Sequence, residues 1–491
     1  MNRQMPQLNP IILLLSAAFC TLVSSTFAQN SINVGLQRAK NPPMQTVSRE
    51  PPVLPDPQEP FEVRDDFTLI ESLDEFRAAI KASGQKVRLK PGIYRAESVD
   101  PPVGSDQHIF AATGSNNHFD LRGVVIETPV SVQSKLSRAA HVSDCWHLFG
   151  DNNTFEGGYF RNVIDRPYPD YSVAENEFEV LGSGNSFVDC TFVIQGSVPY
   201  GYSDFYGKGG PNFGRLNKHG FLSIVGAQHT RLSGCQVYMQ SFGHCIHFHA
   251  ADGVVIENCL LSGTLRPTND IFAEQVGRAV EYDFQVMYRG KRPIPHDEMI
   301  PLTEDGIRTY GGDKNITVTD TTIERFRGCV QILCESDVTL KNVTVLEAGD
   351  FSFDVSAGDQ GKVELRNCRA DVAYNPVFNL TRGATPKDAF YEVTILSPAE
   401  GVKPTPRSSL GTICGERCTF ILHDGTTRPL PAEANQLHCG GNKGLANSTV
   451  KNYTSARLLL SERVRDCTIE SVGPVDDRGA GNRVMRIEPE D

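Results

Sequence analysis

The sequence predicts an all-β solenoid, a parallel β-helix capped at its N-terminal end by a single helix. Three observations carry this. Short segments recur: "GNSFVDCTFVI", "QHTRLSGCQVYM", "DGVVIENCLLSG", "KNITVTDTTIERF", "SDVTLKNVTVLE" and "GKVELRNCRADV" each read as a polar turn, an apolar–x–apolar strand, a small or Asn/Asp/Cys corner and a second short strand. Their spacing is close to one solenoid turn, with 24 positions from Cys235 to Cys259, 22 from Ile316 to Val338 and 25 from Val338 to Val363. No helical periodicity separates the strands, which favours a β-helix over a leucine-rich repeat or a propeller blade. An elongated solenoid also absorbs 491 residues without the two or three domains that length would otherwise suggest.

In chain order, residues 1–28 read as a secretory signal peptide: Arg3 in a short n-region, an apolar run from Ile11, and small residues up to Ala28. Cys20 follows Phe19, where a lipidation site would have a small residue. Residues 29–66 are proline-rich, including "NPPMQTVSREPPVLPDPQEP", and read as a tether or an extended wrap. Residues 67–491 form the solenoid domain. It opens with "ESLDEFRAAIKASG", where Leu73, Phe76, Ala79 and Ile80 share one helical face, Ser72 can cap, and Glu75 stands three residues on. "QKVRLKPGIYR" follows as a strand, a Pro-Gly turn and Ile93, and the repeats come next. No later stretch offers the roughly 18 apolar residues of a membrane span.

A formal charge of −12 argues against a nucleic-acid partner. The leader implies a secreted or periplasmic protein, expected to be a monomer. Of 13 cysteines, most end similar segments ("VDC", "SGC", "ENC", "RNC", "RDC") and read as repeat positions. Cys414 and Cys418, near Cys439, are the best disulfide candidates, with a zinc fragment including His438 as the other reading. Sequons at Asn152, Asn315, Asn342, Asn379, Asn447 and Asn452 read as turn punctuation, since Asn and Thr favour such turns. Trp146, the one tryptophan, reads as packing with sugar stacking as the alternative.

The entry helix, "KVRLKPGIYR" and the stacked rungs together resemble the secreted right-handed parallel β-helix proteins of the pectate-lyase-like superfamily, nearest to the chondroitinase B and alginate-lyase type. The resemblance covers about residues 67–491 and implies right-handedness. It implies an extracellular polysaccharide partner without choosing the chemistry, because the superfamily includes lyases, glycoside hydrolases, epimerases, esterases and phage adhesins. Its lyases commonly use a Lys base and an Arg, often with calcium. No motif of theirs maps residue by residue onto this chain, so the cofactor is left unknown, with a divalent cation such as calcium the implied candidate.

Candidate site residues come from strand parity. "FGHCIHFHAADGVVIENC" holds His244, His247 and His249 among only 12 histidines. Aligning rungs on Cys235 and Cys259 sets Leu222 against Ile246 and Ile224 against Phe248, all inward, so His247 and His249 point outward. His219, one rung earlier, is placed on the same face, and His244 sits at the turn with its direction undecided. Such a patch can do catalysis, hold a metal, or simply pack. Lys218 precedes His219, and Arg308 falls beside His247 if Ile307 faces inward. Two long loops, residues 201–214 and 266–308, supply Arg266, Asp270, Glu274, Glu304 and Asp305 as a roof over residues 218–249. β-Elimination on a uronate polymer needs a cation for the carboxylate, a base for the α-proton and an acid for the leaving oxygen. Arg266, Arg308 or Lys218 fits the first role; His219, His244 or His247 fits the others, with His249, Asp270, Glu304 and Asp305 binding substrate. Hydrolysis would instead use two of Asp270, Glu274, Glu304 and Asp305. The histidine and cation density favours elimination; an epimerase shares its first half, and a non-catalytic sugar-binding adhesin is the rival from another class.

Overall fold

In a computed structural model, residues 46–56, 64–103, 107–136, 144–167, 173–206, 216–286, 292–359, 361–400, 402 and 409–489 are described. The leader assigned to residues 1–28, much of the proline-rich segment and residues 207–215 lie outside them. Each rung contributes three short strands, for example Gly220–Val225, Arg231–Ser233 and Gln236–Gln240. The next rung repeats them as Ile246–His249, Val255–Glu257 and Leu260–Ser262, paired parallel and in register. Among the described residues, one face of the solenoid is a 13-stranded sheet in strict ladder order. The other two stacks merge at Val363–Asp371, which pairs with both Val338–Lys341 and Thr344–Leu346. The pairings Ile316↔Val338 and Val338↔Val363 match the sequence periods.

Identical positions stack because successive rungs are parallel and about 4.8 Å apart, so like side chains meet their own kind. Phe110, Trp146 and Phe178 stack through the interior at centroid distances of 3.9 and 5.3 Å. Trp146 is fully buried, so it is packing and not a sugar platform. The helix Leu73–Lys81 closes this end. Ser72 and Glu75 form the reciprocal capping box, and Phe76 lays its ring against Phe119 and Trp146. Without it, those aromatic rings would face water. The described part of the proline-rich segment is a wrap: Val47–Ser48 adds an antiparallel strand beside Thr264–Pro267, and Arg49 grips Glu324 at 2.8 Å.

The corners explain the cysteines. Asp189, Asn258, Asn367 and Asp466 all have φ near +50°, a left-handed conformation that short polar side chains tolerate. A cysteine follows each one and turns inward, its thiol donating to a neighbouring carbonyl, as Cys235 does to Phe187 O at 3.4 Å after Gly234. All 12 cysteines of the described residues are free and buried. The disulfide expected at Cys414, Cys418 and Cys439 is therefore corrected. Cys414 donates to Leu380 O and Cys418 to Pro386 O, so each thiol is satisfied by a carbonyl of the rung before it. No metal-type cluster joins them to His438 among the described residues. Asn152, Asn315, Asn342 and Asn447 likewise occupy left-handed turns.

A buried asparagine ladder stiffens the first turns. The N–H groups of Gln85, Asn117 and Asn153 donate to the side-chain oxygens of Asn117, Asn153 and Asn185, and each amide nitrogen returns a bond to a carbonyl on the rung before. Replacing Asn153 by Ala would leave Asn117 N–H and Gly114 O without these partners. The expected cost is about 2 kcal/mol, read as a lower urea midpoint at unchanged slope.

Candidate active site on the outer face of the 13-stranded sheet

Alternation decides what this sheet shows to solvent. Ile246 and Phe248 are fully buried, while His247 and His249 face outward, as their parity predicts. Ile307 also faces inward and sets Arg308 directly beside His247. The outward column continues in register as Glu179, Ser223, His247, Arg308, Gln331 and Asp354. Neighbours in such a column lie about 4.8 Å apart, so the sheet presents a straight polar track. Four atoms along it, His247 Nδ1, Arg308 Nε, Gln331 Oε1 and Asp354 Oδ1, are buried and make no hydrogen bond. Buried polar groups are nearly always paired, so a run of such exceptions on one track marks a place for a polar ligand or water.

A charged cluster flanks His247. Gly243 lets two backbones approach closely, since a Cβ there would lie 2.6 Å from His219 O, and the turn it makes delivers His244. Glu304 accepts from Lys218 at 2.8 Å and from Arg327 at 3.4 Å. Asp305 accepts from Arg308, Arg327 and the Gly328 N–H. Both carboxyls are almost completely buried. Burial opposes their ionisation, but His244, Lys218 and Arg327 around Glu304, and Arg327, His244 and Arg308 around Asp305, outweigh it and hold both below the ordinary carboxylate range.

The tautomer of His244 follows from its partners. Its Nδ1 accepts the Asp305 N–H at 3.3 Å, so Nε2 carries the proton and donates to the Tyr310 hydroxyl at 2.6 Å. Tyr310 therefore keeps its own hydroxyl proton to donate elsewhere. Desolvation raises that hydroxyl's pKa, although the ring itself is 43% exposed, so it stays protonated at neutral pH. His249 stacks on Tyr310 at 4.8 Å, and the Arg308 guanidinium lies 5.0 Å from the same ring.

Burial pushes His244 down to about 4 and His247 well below its ordinary value, so both imidazoles are neutral at pH 7. The linkage sign is that of depressed groups. Stability is fully present above pH 6.5, and acidification erodes it as the unfolded imidazole takes a proton that folded His244 refuses until about pH 4. A urea midpoint that falls between pH 6.5 and 4, and falls less for His244→Gln, is the expected result.

Several expected residues stand elsewhere. His219 is fully buried and does not join the patch. It precedes the strand Gly220–Val225, where alternation does not apply, and its Nδ1 donates to Ala174 O at 2.8 Å. Arg266 is engaged by Gly201 O and Glu274 and stacks over Tyr202. It builds a side lobe in which Tyr206, Ile271, Ile300 and Leu302 pack together. Asp270 accepts from Thr46 of the wrap, away from the histidines. The lobe approaches the cluster through Asp204, 3.8 Å from Arg327. Tyr310, Arg327, Gln331 and Asp354 were not anticipated. Tyr310 shares the outward parity of Arg308 and was legible; Arg327 sits at a rung entrance, where no pattern marks it.

The cluster does not suit calcium, which takes six to eight oxygen ligands. Among the described residues its buried carboxylates, Glu304 and Asp305, are already bound by cationic side chains. No step is derived through that ion.

No protein-family model matches the chain, and no curated protein matches it. Among solved structures, it is similar to the Dettilon tailspike protein, at 9% identity and a TM-score of 0.34 over 82% of this chain; the match spans 62% of the tailspike. The Streptococcus pneumoniae surface protein and adhesin PfbA matches at 11% identity and a TM-score of 0.36, over 84% of this chain and 92% of its own. An alginate lyase, AlyF-OU02, matches at 11% and 0.38, over 84% and 87%. Likeness at this level concerns the fold alone. Among the described residues, no helix is long and apolar enough to cross a membrane.

Proposed function

We propose that this protein is a secreted carbohydrate-active enzyme that binds an acidic polysaccharide along the outward track and cleaves it by β-elimination. The observation that carries the reading is the row of four unpartnered buried polar atoms on His247, Arg308, Gln331 and Asp354, with Arg327 behind Arg308 on the shared Asp305 carboxylate. Arg308 has a free Nε and neutralises the uronate carboxylate, which acidifies the C5 proton. Neutral His247 takes that proton. Its basicity, low in the free protein, rises when the substrate carboxylate arrives beside it. The released electron pair forms the C4–C5 double bond, the C4–oxygen bond breaks, and Tyr310 gives its proton to the leaving oxygen. His244 orients Tyr310 through the 2.6 Å bond, and after the product leaves, the proton gained by His247 passes to solvent while the Tyr310 phenolate takes one back from solvent.

One observation favours a second reading. Burial raises Asp354 to about 6, so it is a candidate general acid for hydrolysis, with Gln331 donating to its other oxygen at 2.7 Å. Asp305, which shares the neighbourhood of Arg308 with Asp354, is tied to Arg308 and Arg327 and is poorly placed to attack or to activate water. Elimination is therefore preferred. The test incubates the purified protein with a panel of uronate polysaccharides and follows both unsaturated-uronate absorbance and new reducing ends. Absorbance rising with the ends is the expected result. Ends without absorbance would transfer the chemistry to Asp354, and neither signal, with retained binding, would make the track an adhesin surface.

A further inference from the structure

Three rungs away from His247 on the same sheet lies a second histidine pair that the proposed chemistry does not use. His147 occupies the outward position between the inward Trp146 and Leu148. His108 leads into Phe110–Ala112, and the register Phe110↔Trp146, extended back, brings it beside Asp144. His108 and Asp144 are fully buried and His147 is 1% exposed. Their ligand-type atoms all lie within 4.8 Å of one another.

The internal geometry is that of a coordination edge. His108 Nδ1 and His147 Nδ1 are 3.3 Å apart, and two nitrogens bound to a tetrahedral zinc at about 2.0–2.1 Å stand about 3.3 Å from each other. His147 Nε2, on the far side of its ring, lies 3.2 Å from Glu179 Oε2 without making a hydrogen bond in this structure, and a small rotation of the carboxylate would let it orient a ligating imidazole. Asp144 Oδ1 accepts both the backbone and side-chain N–H of Asn176, at 3.1 and 3.0 Å. Its other oxygen, Oδ2, is buried and receives no hydrogen bond from a donor, while the carboxyl as a whole faces that of Glu179, a pairing of two acids that a bound cation would relieve.

A neighbouring trio shows the contrast. Cys145, Glu177 and His219 are equally close and equally buried. Yet Glu177 accepts from Thr128 and Asn162, and His219 Nδ1 donates to Ala174 O, so that group is satisfied by its own hydrogen bonds. Of these two groups among the described residues, the His108 group combines a carboxylate oxygen that receives no hydrogen bond with two imidazole nitrogens at ligand spacing, whose one mutual hydrogen bond a metal ion would replace.

We infer that His108 and His147 through Nδ1, and Asp144 through Oδ2, bind one divalent first-row transition-metal ion of the zinc class, with Glu179 and Asn176 as orienting partners. Two nitrogens and one oxygen suit zinc and not calcium. The ion ties the Phe110–Ala112 strand to the Asp144–Leu148 strand next to the capping helix, and its role is structural. It is independent of the proposed lyase chemistry.

Because the ligands are buried, the full chain, made without a polyhistidine tag, is refolded with zinc or with chelator and its metal content measured. The expected result is one zinc per chain, a higher thermal midpoint with zinc, and an X-ray absorption spectrum with two imidazole scatterers. His108→Gln and Asp144→Asn should each lose the ion, Glu179→Gln should weaken its affinity about 10- to 100-fold, and His247→Ala should keep it. A refolded wild-type chain without zinc would overturn the inference. So would three imidazole scatterers, or loss of zinc in His247→Ala with retention in His108→Gln, either of which moves the ion to the His244–His249 group. The absorption measurement on the wild type decides even if a variant fails to fold.

Discussion

His247→Ala should lower kcat on a uronate polymer by about 10²–10⁴-fold, the usual worth of a positioned general base, while KM changes little. The imidazole faces away from the core, and its strand is anchored by Ile246 and Phe248, so truncation removes little interior packing. Global stability should move by no more than about 0.5 kcal/mol. Initial rates of unsaturated-uronate formation, taken beside a urea melt, separate the two effects. A variant with full turnover would remove His247 from the mechanism and leave His249 or Tyr310 to be examined by the same pair of measurements. A variant that binds and cleaves poorly but also unfolds early would show instead that the ring is a packing element.

Arg327→Ala should produce the largest loss of stability, about 3–5 kcal/mol, because it strands two buried carboxylates. Glu304 and Asp305 each lose a guanidinium contact, leaving Lys218 on Glu304, and Arg308 with the Gly328 N–H on Asp305. The pH dependence gives the effect a signature. Both carboxyls are depressed in the folded state, so the stabilisation they contribute is present above their ordinary values of 4.5 and 3.8 and is lost as pH falls through the folded values. The gap between Arg327→Ala and the parent should therefore narrow on acidification below about pH 4. A penalty that stays constant with pH would assign the loss to packing of the arginine stem and not to charge.

The two variants probe parts of the protein that were unequally visible in the sequence. The direction of His247, His249 and Arg308 was legible because strand alternation acts within a few residues, and the inward Ile246, Phe248 and Ile307 betray it. His219 shows where that reasoning ends, since the residue precedes its strand and turns inward to Ala174 O and Asn162. Loop length places Arg266 and Asp270 in a roof over the site, yet their partners are Glu274, Gly201 and Thr46. Those contacts depend on how two long excursions pack on each other, and nothing local encodes it.

The sequence alone determined the solenoid, its period, its capping helix and the inward or outward sense of most strand residues. Each of these depends on patterns that repeat within one rung or between adjacent rungs: apolar alternation, left-handed Asn and Asp corners, and an Ser72–Glu75 capping box. Only the tertiary structure decided which polar groups meet. Arg327 reaches Glu304 across 23 residues, His244 reaches Tyr310 across 66, and His108 reaches His147 across 39. Rung lengths vary through loop insertions, so stacking partners cannot be counted off along the chain, and the side chains at rung entrances take their direction from the bend and not from strand parity.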